Sequence, residues 1–449
     1  MVVDVIVLAA GLGSRMLSEM PKVLHCIGQA PLIAHVISAV APLTPRCVIA
    51  VVGHGAAAVV KTVSALHADA TCIEQGDMLG TGHAVAQALP ALPPAVDGAM
   101  SKVLVLFGDT PLVRSETLQR MIDSPAAVTV LGFEAVDPTG YGRLIEEDGS
   151  LVAIVEHRDA GPAERAVTLC NSGVMCVEAA TLRSLVPQIG TDNAKGEYYV
   201  TDIVALARKA EQSCAVIRCA EEETLGVNDR AGLATAEAAF QTRKRAEILS
   251  AGVTLTAPET VHLALDTVIG PDSVVGPFVV FGPGVTVENG AEILPFSHLE
   301  GCHVSQGARI GPHARLRPGA EIGAGARIGN FVEVKEAQIA QGAKINHLSY
   351  VGDAQIGEDA NIGAGAITCN YDGVMKHRTE IGARAFIGSN SALVAPVRIG
   401  DDAMVGSGSV ITRDVEAGAL AIARGAQTNK PGLARRLMER LRAIKAARR

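Results

Sequence analysis

An aliphatic residue returns at every sixth position through most of the second half of this chain. The clearest run is Ile381, Ile387, Leu393, Ile399, Val405 and Ile411. An amphipathic helix would place its apolar residues three and four apart, so the pattern is not helical. A fixed six-residue period predicts a parallel β-helix, in which each hexapeptide supplies a short strand and a turn and three hexapeptides complete one triangular coil. The aliphatic side chains then point into a shared core.

The same register extends back towards residue 253, with occasional slips of one residue that shorten a corner. The earlier inward positions are Ile269, Val275, Phe281, Val287, Ile293, Leu299, Val304, Ile310, Leu316, Ile322, Ile328, Val334, Ile339, Ile345, Val351, Ile356, Ile362 and Thr368. One longer interruption, at residues 369–380, carries many polar residues, and we expect it to loop out of the solenoid. Loops that project from a repeat scaffold commonly carry function.

The first part of the chain has a different pattern. Residues 2–10 form an apolar run without alternation, which predicts a buried parallel strand that leads into the glycine-rich turn at 11–16. The bare amide groups of such a turn bind phosphate, and Arg15 and Lys22 add two cations that suit a triphosphate. A second apolar strand ends at Asp109, at the sheet edge where α/β proteins bind ligands and where a carboxylate can hold Mg²⁺.

These patterns predict an α/β domain at residues 1–229, a connecting helix at 230–250 and an all-β solenoid domain at 251–449. The helix is rich in alanine and charge. The last twenty residues, 430–449, carry eight basic residues and one acid, Glu439. A solvated terminal helix is the simplest interpretation of this tail. The alternative is that its cations reach the phosphates of a coenzyme A bound by a neighbouring subunit.

Composition excludes several functions. The net charge of −8 argues against nucleic acid as the main partner. No apolar run approaches the roughly 18 residues of a membrane span, so we expect no membrane insertion. The N-terminus lacks the basic segment of a signal peptide. Nine cysteines without metal-ligand spacing are typical of free thiols in a reducing cytoplasm, which is the expected location.

The chain also resembles a known family over essentially its full length. The strings that carry the resemblance are LAAGLGSRM, PKVLH, LGTGHA, GDTPL, PTGYGR, NSGVM, GVNDR, RLRPGAEIG, NFVEVK, NHLSYVGDA, NIGAGAITCNYDG, IGSN and TRDV. They are similar to those of the bacterial bifunctional N-acetylglucosamine-1-phosphate uridyltransferase and glucosamine-1-phosphate N-acetyltransferase, the GlmU family. The resemblance implies a Rossmann-like nucleotidyltransferase domain, a left-handed parallel β-helix and a homotrimer. It also implies Mg²⁺ as cofactor and UTP, glucosamine-1-phosphate and acetyl-CoA as substrates.

Matching positions then imply residue roles in the N-terminal domain. The resemblance assigns triphosphate contacts to Arg15 and Lys22, uridine contacts to Gln75, Gly80 and Thr81, Mg²⁺ ligation to Asp109 and Asn228, and sugar contacts to Gly140, Glu156 and Asn171, with Leu8, Ala9, Ala10 and Gly11 completing the substrate site. The sugar phosphate is already an anionic nucleophile, so this reaction needs positioning and charge neutralisation but no protein base.

In the solenoid the resemblance implies a second active site. His347 matches the general base, for which an imidazole that is mostly neutral near pH 7 is suited. The other matches are Arg317, Lys335, Tyr350, Asn361 and Lys376 for glucosamine-1-phosphate, and Asn370, Tyr371, Ser389, Ser407 and Arg424 for acetyl-CoA and the developing oxyanion. Residues about 18 apart stack on one face of a β-helix, so we expect Arg317, Lys335, His347 and Tyr350 to gather in one region.

Departures from the family pattern and rival functions remain open at this point. Leu12, Met78, Phe107 and Ser407 stand where the family commonly has other residues, which bears on rate and specificity. The main rival is a monofunctional sugar-nucleotide pyrophosphorylase whose β-helix is structural or regulatory. Others are a non-catalytic assembly scaffold and an enzyme for another acyl donor or nucleotide. The projecting loop, His347 and Lys335 favour the bifunctional interpretation, because a structural solenoid does not need them.

Overall fold

The computed structural model describes residues 1–94, 99–193 and 195–447. The chain divides into two compact units, one formed by Met1–Ser250 with His262–Thr267, the other by Ala251–Val261 with the chain from Val268 onward. Within the described ranges, none of the helices combines the length and the apolar character needed to cross a membrane.

The first unit is built around one mixed sheet. The strands of the first unit are Val2–Ala9 (β1), Cys26–Ile27 (β2), Ala30–Pro31 (β3), Cys47–Val52 (β4), Thr71–Glu74 (β5), Ser101–Phe107 (β6), Val128–Glu134 (β7), Arg143–Glu147 (β8), Ser150–Val155 (β9), Leu169–Glu178 (β10) and Cys214–Cys219 (β11). Strands β2 and β3 pair with each other outside the main sheet. Its helices are Leu32–Val40 (α1), Ala56–Leu66 (α2), Thr81–Ala88 (α3), Ser115–Asp123 (α4), Pro162–Arg165 (α5), Ala179–Leu185 (α6), Ile203–Lys209 (α7) and Arg230–Ser250 (α8).

The strand order of the main sheet is β11-β7-β10-β6-β1-β4-β5. Strand β1 is parallel to both β4 and β6, whereas β10 is antiparallel to β6 and β7. Strand β4 lies on one side of β1 in the sheet, and β6, which comes later in the chain, lies on the other side of β1. The carboxyl ends of β1 and β6 therefore lie together at a topological switch point, the usual ligand-binding place of such sheets.

Both faces of this sheet are covered by helices. Alternate residues of β1 enter different cores: Ile6 packs with α3, α6 and α7, whereas Val5 packs with α1, α2 and α4. This two-sided burial explains why residues 5–10 are apolar without alternation. Helix α8 belongs to the same unit, because Ala236 and Phe240 share a core with Met16 and Leu32.

The second unit is a left-handed parallel β-helix followed by the helix Leu433–Ala447 (α9). Its strands are Thr254–Leu255 (β12), Val268–Ile269 (β13), Val274–Val275 (β14), Val280–Phe281 (β15), Thr286–Val287 (β16), Glu292–Ile293 (β17), His298–Leu299 (β18), Cys302–Val304 (β19), Arg309–Ile310 (β20), Arg315–Leu316 (β21), Ala320–Ile322 (β22), Arg327–Asn330 (β23), Glu333–Ile339 (β24), Lys344–His347 (β25), Tyr350–Ile356 (β26), Asn361–Ile362 (β27), Ile367–Cys369 (β28), Thr379–Ile381 (β29), Phe386–Ile387 (β30), Ala392–Val394 (β31), Val397–Ile399 (β32), Met404–Val405 (β33), Val410–Ile411 (β34) and Leu420–Ala421 (β35).

These strands stack into the three faces of a prism. The first face runs β12-β14-β17-β20-β23-β25-β27-β30-β33-β35, the second includes β13-β16-β19-β22, and the third includes β15-β18-β21. The longer strands β24 and β26 turn a corner and take part in both the second and the third face. All pairings between coils are parallel, as a period of three hexapeptides per coil requires.

The predicted inward register is confirmed at every position, since each residue of the predicted inward series from Ile269 to Ile411 is buried. Thr368 is buried in the same series, and its hydroxyl donates to the Gly352 carbonyl at 3.0 Å and accepts from the Gly352 N–H at 2.8 Å. The predicted loop is present but shorter. Cys369 and Thr379–Ile381 belong to strands, so the projecting segment is residues 370–378.

Candidate active sites

Two adjoining cavities lie at the carboxyl ends of β1 and β6. The smaller has a volume of about 270 Å³ and is lined by residues that include Leu8, Ala9, Ala10, Gly11, Lys22, Gln75, Met78, Gly80, Thr81 and Asp109. The larger, of about 720 Å³, is lined by residues that include Arg15, Gly140, Glu156, Asn171, Lys195 and Tyr199. Thr81, Phe107 and Glu197 line both cavities, which are therefore two parts of one cleft.

Lys22 connects the glycine-rich turn to the two predicted metal ligands. Its ammonium donates to the Asp109 carboxylate and to the Asn228 side-chain oxygen, the latter at 3.2 Å. A Cβ on Gly13, whose φ is +61°, would lie only 2.7 Å from the Lys22 Cβ, so glycine is needed where the lysine stem passes. The turn, β6 and the segment before α8 thus converge on one cation.

The Asp109 and Asn228 oxygens fit a divalent cation. Mg²⁺ prefers carboxylate and amide oxygens and usually takes only one or two protein ligands, with substrate phosphates completing its coordination. In this structure the Lys22 ammonium acts as the cation between the two oxygens. The described residues include no cluster of three or more His, Cys, Asp or Glu side chains suited to a metal. The donor set therefore suits a metal that binds together with a nucleotide.

The wall of the smaller cavity depends on a tight crossing between two segments. The Tyr198 N–H donates to the Leu79 carbonyl at 2.8 Å, and the Gly82 N–H donates to the Tyr198 carbonyl at 2.7 Å. The Thr81 hydroxyl accepts from the Val200 N–H at 3.0 Å. Buried Gln75 donates to the Gly80 carbonyl at 3.2 Å, which holds the loop from the inside.

Replacing Gly80 by alanine is expected to damage this crossing. The φ of Gly80 is +115°, and an added Cβ would lie 2.5 Å from the Tyr198 carbonyl oxygen. Such strain costs about 1–3 kcal/mol, so we expect the affinity of this cleft for a nucleoside triphosphate to fall about tenfold or more. Isothermal titration calorimetry of the variant with the nucleotide measures this. Gly76→Ala is the matched control, because a Cβ there meets nothing within 4 Å, and an equal effect in the control would contradict the explanation.

The larger cavity contains the predicted sugar-binding residues and several that were not assigned a role. Burial raises the pKa of Glu156, and the nearby Lys195 ammonium acts in the opposite direction. The Asn171 side-chain oxygen accepts from the Gly173 N–H at 2.9 Å, which fixes the amide beside the cavity. Lys195 and Tyr199 also line it, and sequence reasoning assigned neither of them a role. Phe107, a departure from the family pattern, packs against Gly173.

A cationic cluster forms on the third face of the solenoid. Arg317 follows β21, Lys335 lies next to it on β24, and Lys376 reaches them from the projecting loop. The Lys376 ammonium beside Lys335 lowers the pKa of Lys335, which identifies a place where positive charge is concentrated. Arg317 also donates to Glu333 at 2.8 Å. Converging cations that are not fully neutralised suit a phosphate group.

Asp353 links this cluster to the loop, and sequence reasoning did not find it. Its carboxylate accepts from the side-chain amide of Asn370, which also donates to the Tyr350 hydroxyl at 3.4 Å. Asp353 also exerts an attractive charge effect on Lys335 and Lys376. Because the Asn370 amide already has these two partners, its predicted role towards an oxyanion stays a prediction.

The projecting loop is a closed hairpin. Tyr371 and Lys376 form an antiparallel bridge, and the Asp372 carboxylate accepts from the backbone N–H groups of Met375 at 2.7 Å and Val374 at 2.8 Å. His377 contacts the same carboxylate at 2.7 Å. Hydrogen bonds from Met375, His377 and Val374 hold the pKa of Asp372 well below its usual range. The carboxylate therefore stays charged, and its contribution to the closed hairpin is lost only as the pH falls through that lowered pKa.

Removing this carboxylate is expected to weaken phosphate binding at the cationic cluster. Asp372→Ala deletes the hydrogen bonds that hold the hairpin carrying Lys376, and we expect the affinity of the cluster for a sugar phosphate to fall about tenfold. Isothermal titration calorimetry with the sugar phosphate measures the change. The matched control is Asp414→Ala, which deletes a comparable carboxylate contact to the Arg398 N–H on another coil. The explanation fails if Asp372→Ala leaves this affinity unchanged.

His347 lies on the first face of the prism, at the end of β25. Its Nδ1 lies 2.7 Å from the side-chain oxygen of Asn330, its register partner on β23. An amide oxygen can only accept, so Nδ1 carries the proton and Nε2 keeps its lone pair. Sequence reasoning did not single out Asn330, although it lies within one of the matching strings. The imidazole is exposed and lines a cavity of about 340 Å³.

The predicted acetyl-CoA residues continue the column that begins at His347. Ile345, Ile362, Ile387 and Val405 are successive register partners. The residues two positions after each of these partners therefore also form a column. They are His347, Ala364, Ser389 and Ser407. Arg424 joins its far end by donating to the Ser407 carbonyl at 2.7 Å. Asn361 lies on the same face as the register partner of Lys344.

His347 and the cationic cluster lie on adjoining faces of the prism. Arg317, Lys335 and Tyr350 share the third face, as expected. His347 lies on the first face, and the two faces meet at the corner that contains Leu348, whose φ is +52°. The four residues therefore do not stack on a single face, whereas the expectation that their side chains gather in one region stays a prediction.

The folds and sites together define a two-site transferase, a nucleotidyltransferase joined to a hexapeptide-repeat acyltransferase. A MobA-like NTP transferase domain matches residues 5–148, and the bacterial transferase hexapeptide (six repeats) matches residues 266–301, 301–336 and 378–413. The Bifunctional protein GlmU of Ruegeria sp. (strain TM1040) is 59% identical over 444 residues, covering 98% of each chain. That of Paracoccus denitrificans (strain Pd 1222) is 59% identical over 440 residues, again covering 98% of each.

The chain belongs to the family of bifunctional GlmU proteins. It is a bifunctional enzyme with acetyltransferase and uridyltransferase activities in UDP-N-acetylglucosamine synthesis. A solved structure of the inositol-1-phosphate CTP transferase from T. maritima matches 52% of this chain and 95% of its own, with 14% identity and a TM-score of 0.42. That similarity is too weak to carry an argument.

Proposed function

We propose that the β-helix first acetylates glucosamine-1-phosphate from acetyl-CoA, and that the α/β unit then transfers a uridylyl group from UTP to the product. The observation that carries the proposal is His347, whose Nδ1 is held by Asn330 so that Nε2 is free to take a proton. This arrangement, with a cationic cluster on the adjoining face of the prism, has no use in a purely structural solenoid. It therefore favours the bifunctional enzyme over a monofunctional pyrophosphorylase.

In the acetyl transfer, Arg317, Lys335 and Lys376 hold the phosphate of the amino sugar, and Tyr350 and Asn361 complete the acceptor site. The amine attacks the thioester carbonyl while His347 Nε2 accepts its proton, and the imidazolium then gives that proton to the departing sulfur, so that coenzyme A leaves as the thiol. Ser389, Ser407 and Arg424 lie along the column that ends at His347, which supports an extended cofactor on this face. Asn370 and Tyr371 lie on the hairpin at the acceptor end.

In the uridylyl transfer, an oxygen of the sugar phosphate attacks the α-phosphorus of UTP, and pyrophosphate leaves. Arg15 and Lys22 neutralise the triphosphate, Gln75, Gly80 and Thr81 hold the uridine, and Gly140, Glu156 and Asn171 position the sugar. Asp109 and Asn228 would hold Mg²⁺, which supplies charge neutralisation at the phosphates when bound. The nucleophile is already an anion, so the protein does not need a base.

We also infer that the active assembly is a homotrimer. His347 and the cationic cluster lie on different faces of one prism, and neighbouring prisms that pack face to face bring such faces together. UTP and acetyl-CoA are intracellular substrates, and all nine cysteines of the structure are free, which supports a cytoplasmic location. Sedimentation velocity of the intact protein tests the trimer.

One incubation with glucosamine-1-phosphate, acetyl-CoA, UTP and Mg²⁺, analysed by mass spectrometry, tests the order of the reactions. We expect UDP-N-acetylglucosamine, coenzyme A and pyrophosphate. Omitting acetyl-CoA should stop nucleotide transfer, and supplying N-acetylglucosamine-1-phosphate should restore it. Efficient formation of UDP-glucosamine would contradict the order, and failure to acetylate would favour the monofunctional rival.

A further inference from the structure

The C-terminal helix α9 is amphipathic, and none of the residues that the structure describes in its own unit covers it. Every residue from 422 to 447 is exposed. With 3.6 residues per turn, the large apolar side chains of α9 lie on one side of the helix. They are Leu433, Leu437, Met438, Leu441 and Ile444, which are 39–59% exposed. A solvated helix has no need of such an apolar side.

The other side of α9 is strongly basic. The helix carries Arg435, Arg436, Arg440, Arg442 and Lys445, with Glu439 as its acidic residue. With about 100° per residue, Arg440 lies at one edge of the apolar side, and Lys445 lies near the other edge, between Leu441 and Met438. Long basic side chains in such positions extend their charge away from an apolar environment while their stems stay in it. The helix therefore combines an apolar side with a polar side that is predominantly basic.

Different partners would use these two sides differently. The phosphates of coenzyme A would explain the cations but leave the apolar side unused. Association with α9 of another copy would cover the apolar side but bring like charges together, whereas helices that pair usually carry both signs beside their seam. The surface of an anionic bilayer satisfies both sides at once.

We propose that α9 binds the surface of membranes that contain anionic lipids and so holds the enzyme at the bilayer. The helix has 15 residues, too few to cross a hydrocarbon core of about 30 Å. It lies in the plane of the interface instead, with the apolar side among the acyl chains and the basic side towards the lipid phosphates.

Flotation of the full-length protein with vesicles tests the proposal. We expect binding to vesicles of phosphatidylglycerol and phosphatidylcholine, weak binding to phosphatidylcholine alone, and release by salt. The variant Leu437→Gln with Leu441→Gln removes apolar surface without changing charge or helix propensity, and should lower the partition coefficient about tenfold or more. The control variant, Ala443→Gln with Ala446→Gln on the opposite side of the helix, should bind as the unaltered protein does.

Several results would overturn the proposal. Absence of vesicle binding would do so, as would equal loss in both variants, because pure charge attraction does not distinguish the two sides of the helix. A change of oligomeric state in the Leu437→Gln, Leu441→Gln variant, without vesicle binding by the unaltered protein, would show that another copy covers the apolar side. If the Leu437→Gln, Leu441→Gln variant had a raised KM for acetyl-CoA and the unaltered protein did not bind vesicles, the tail would instead be shown to bind acetyl-CoA.

Discussion

His347→Ala is expected to lower kcat for acetyl transfer by about 10²–10⁴-fold, because it removes the group that takes the proton from the attacking amine. Uridylyl transfer to supplied N-acetylglucosamine-1-phosphate should be unchanged, since His347 belongs to the second unit and the UTP cleft to the first. Separate assays of thiol release and pyrophosphate release measure the two reactions in one preparation.

The control for this variant is His298→Ala, which removes another exposed histidine from a solenoid strand. It should leave both activities unchanged. A second variant, Asn330→Ala, tests the role of the tautomer. Without the amide oxygen, the proton is free to move to Nε2, so kcat should fall while the KM for glucosamine-1-phosphate changes little. Full acetyl transfer in His347→Ala would remove this histidine from the mechanism.

Asp109→Asn is expected to reduce uridylyl transfer by about 10³-fold, because loss of the carboxylate charge weakens the site that would hold Mg²⁺ against the phosphates. Acetyl transfer should be unaffected. Chelation of divalent cations should reproduce this selective loss in the unaltered protein. Pyrophosphate release and thiol release, measured with and without chelator, give the comparison.

Asp123→Asn is the matched control, since Asp123 is an exposed carboxylate at the end of α4. It makes the same chemical change in the same unit and should leave uridylyl transfer intact. Equal activity of Asp109→Asn and the control would show that the Asp109 carboxylate is not needed. Loss of acetyl transfer in Asp109→Asn would indicate general misfolding instead.

Much of the architecture could be predicted because the solenoid repeats one simple physical rule. Each coil must bury an aliphatic residue at each strand, so the inward positions follow from counting, and the slips at Val304 and Ile339 did not interrupt the core. The phosphate-binding turn at the end of β1 was also predictable. A glycine-rich turn, nearby cations and a strand ending at Asp109 are all local in sequence.

Contacts between distant segments were harder to predict. Lys22 meets Asn228 across 206 residues of sequence, and no spacing rule announces that the lysine ammonium lies between the two predicted metal ligands. Asp353 and Asn330 were missed for a similar reason. Each acts by holding a neighbouring side chain, Asn370 or His347, so its importance appears only once the coils are stacked.

Lys335 and His347 do not stack on a single face, because successive inward residues belong to three faces in turn. Val334 and Ile345, two inward positions apart, therefore lie on different faces. Lys335 follows the first and His347 the second. Their separation of 12 residues is two hexapeptides of a three-hexapeptide coil, so counting hexapeptides already places them on different faces.

The contact of Lys22 with Asp109 and Asn228 has a thermodynamic consequence. A divalent cation that binds alone must displace the ammonium and leave two cations side by side, which weakens its affinity. A triphosphate draws Lys22 towards itself and opens the two oxygens. Nucleotide and metal should therefore bind with positive cooperativity, and by reciprocity each raises the affinity for the other by the same factor.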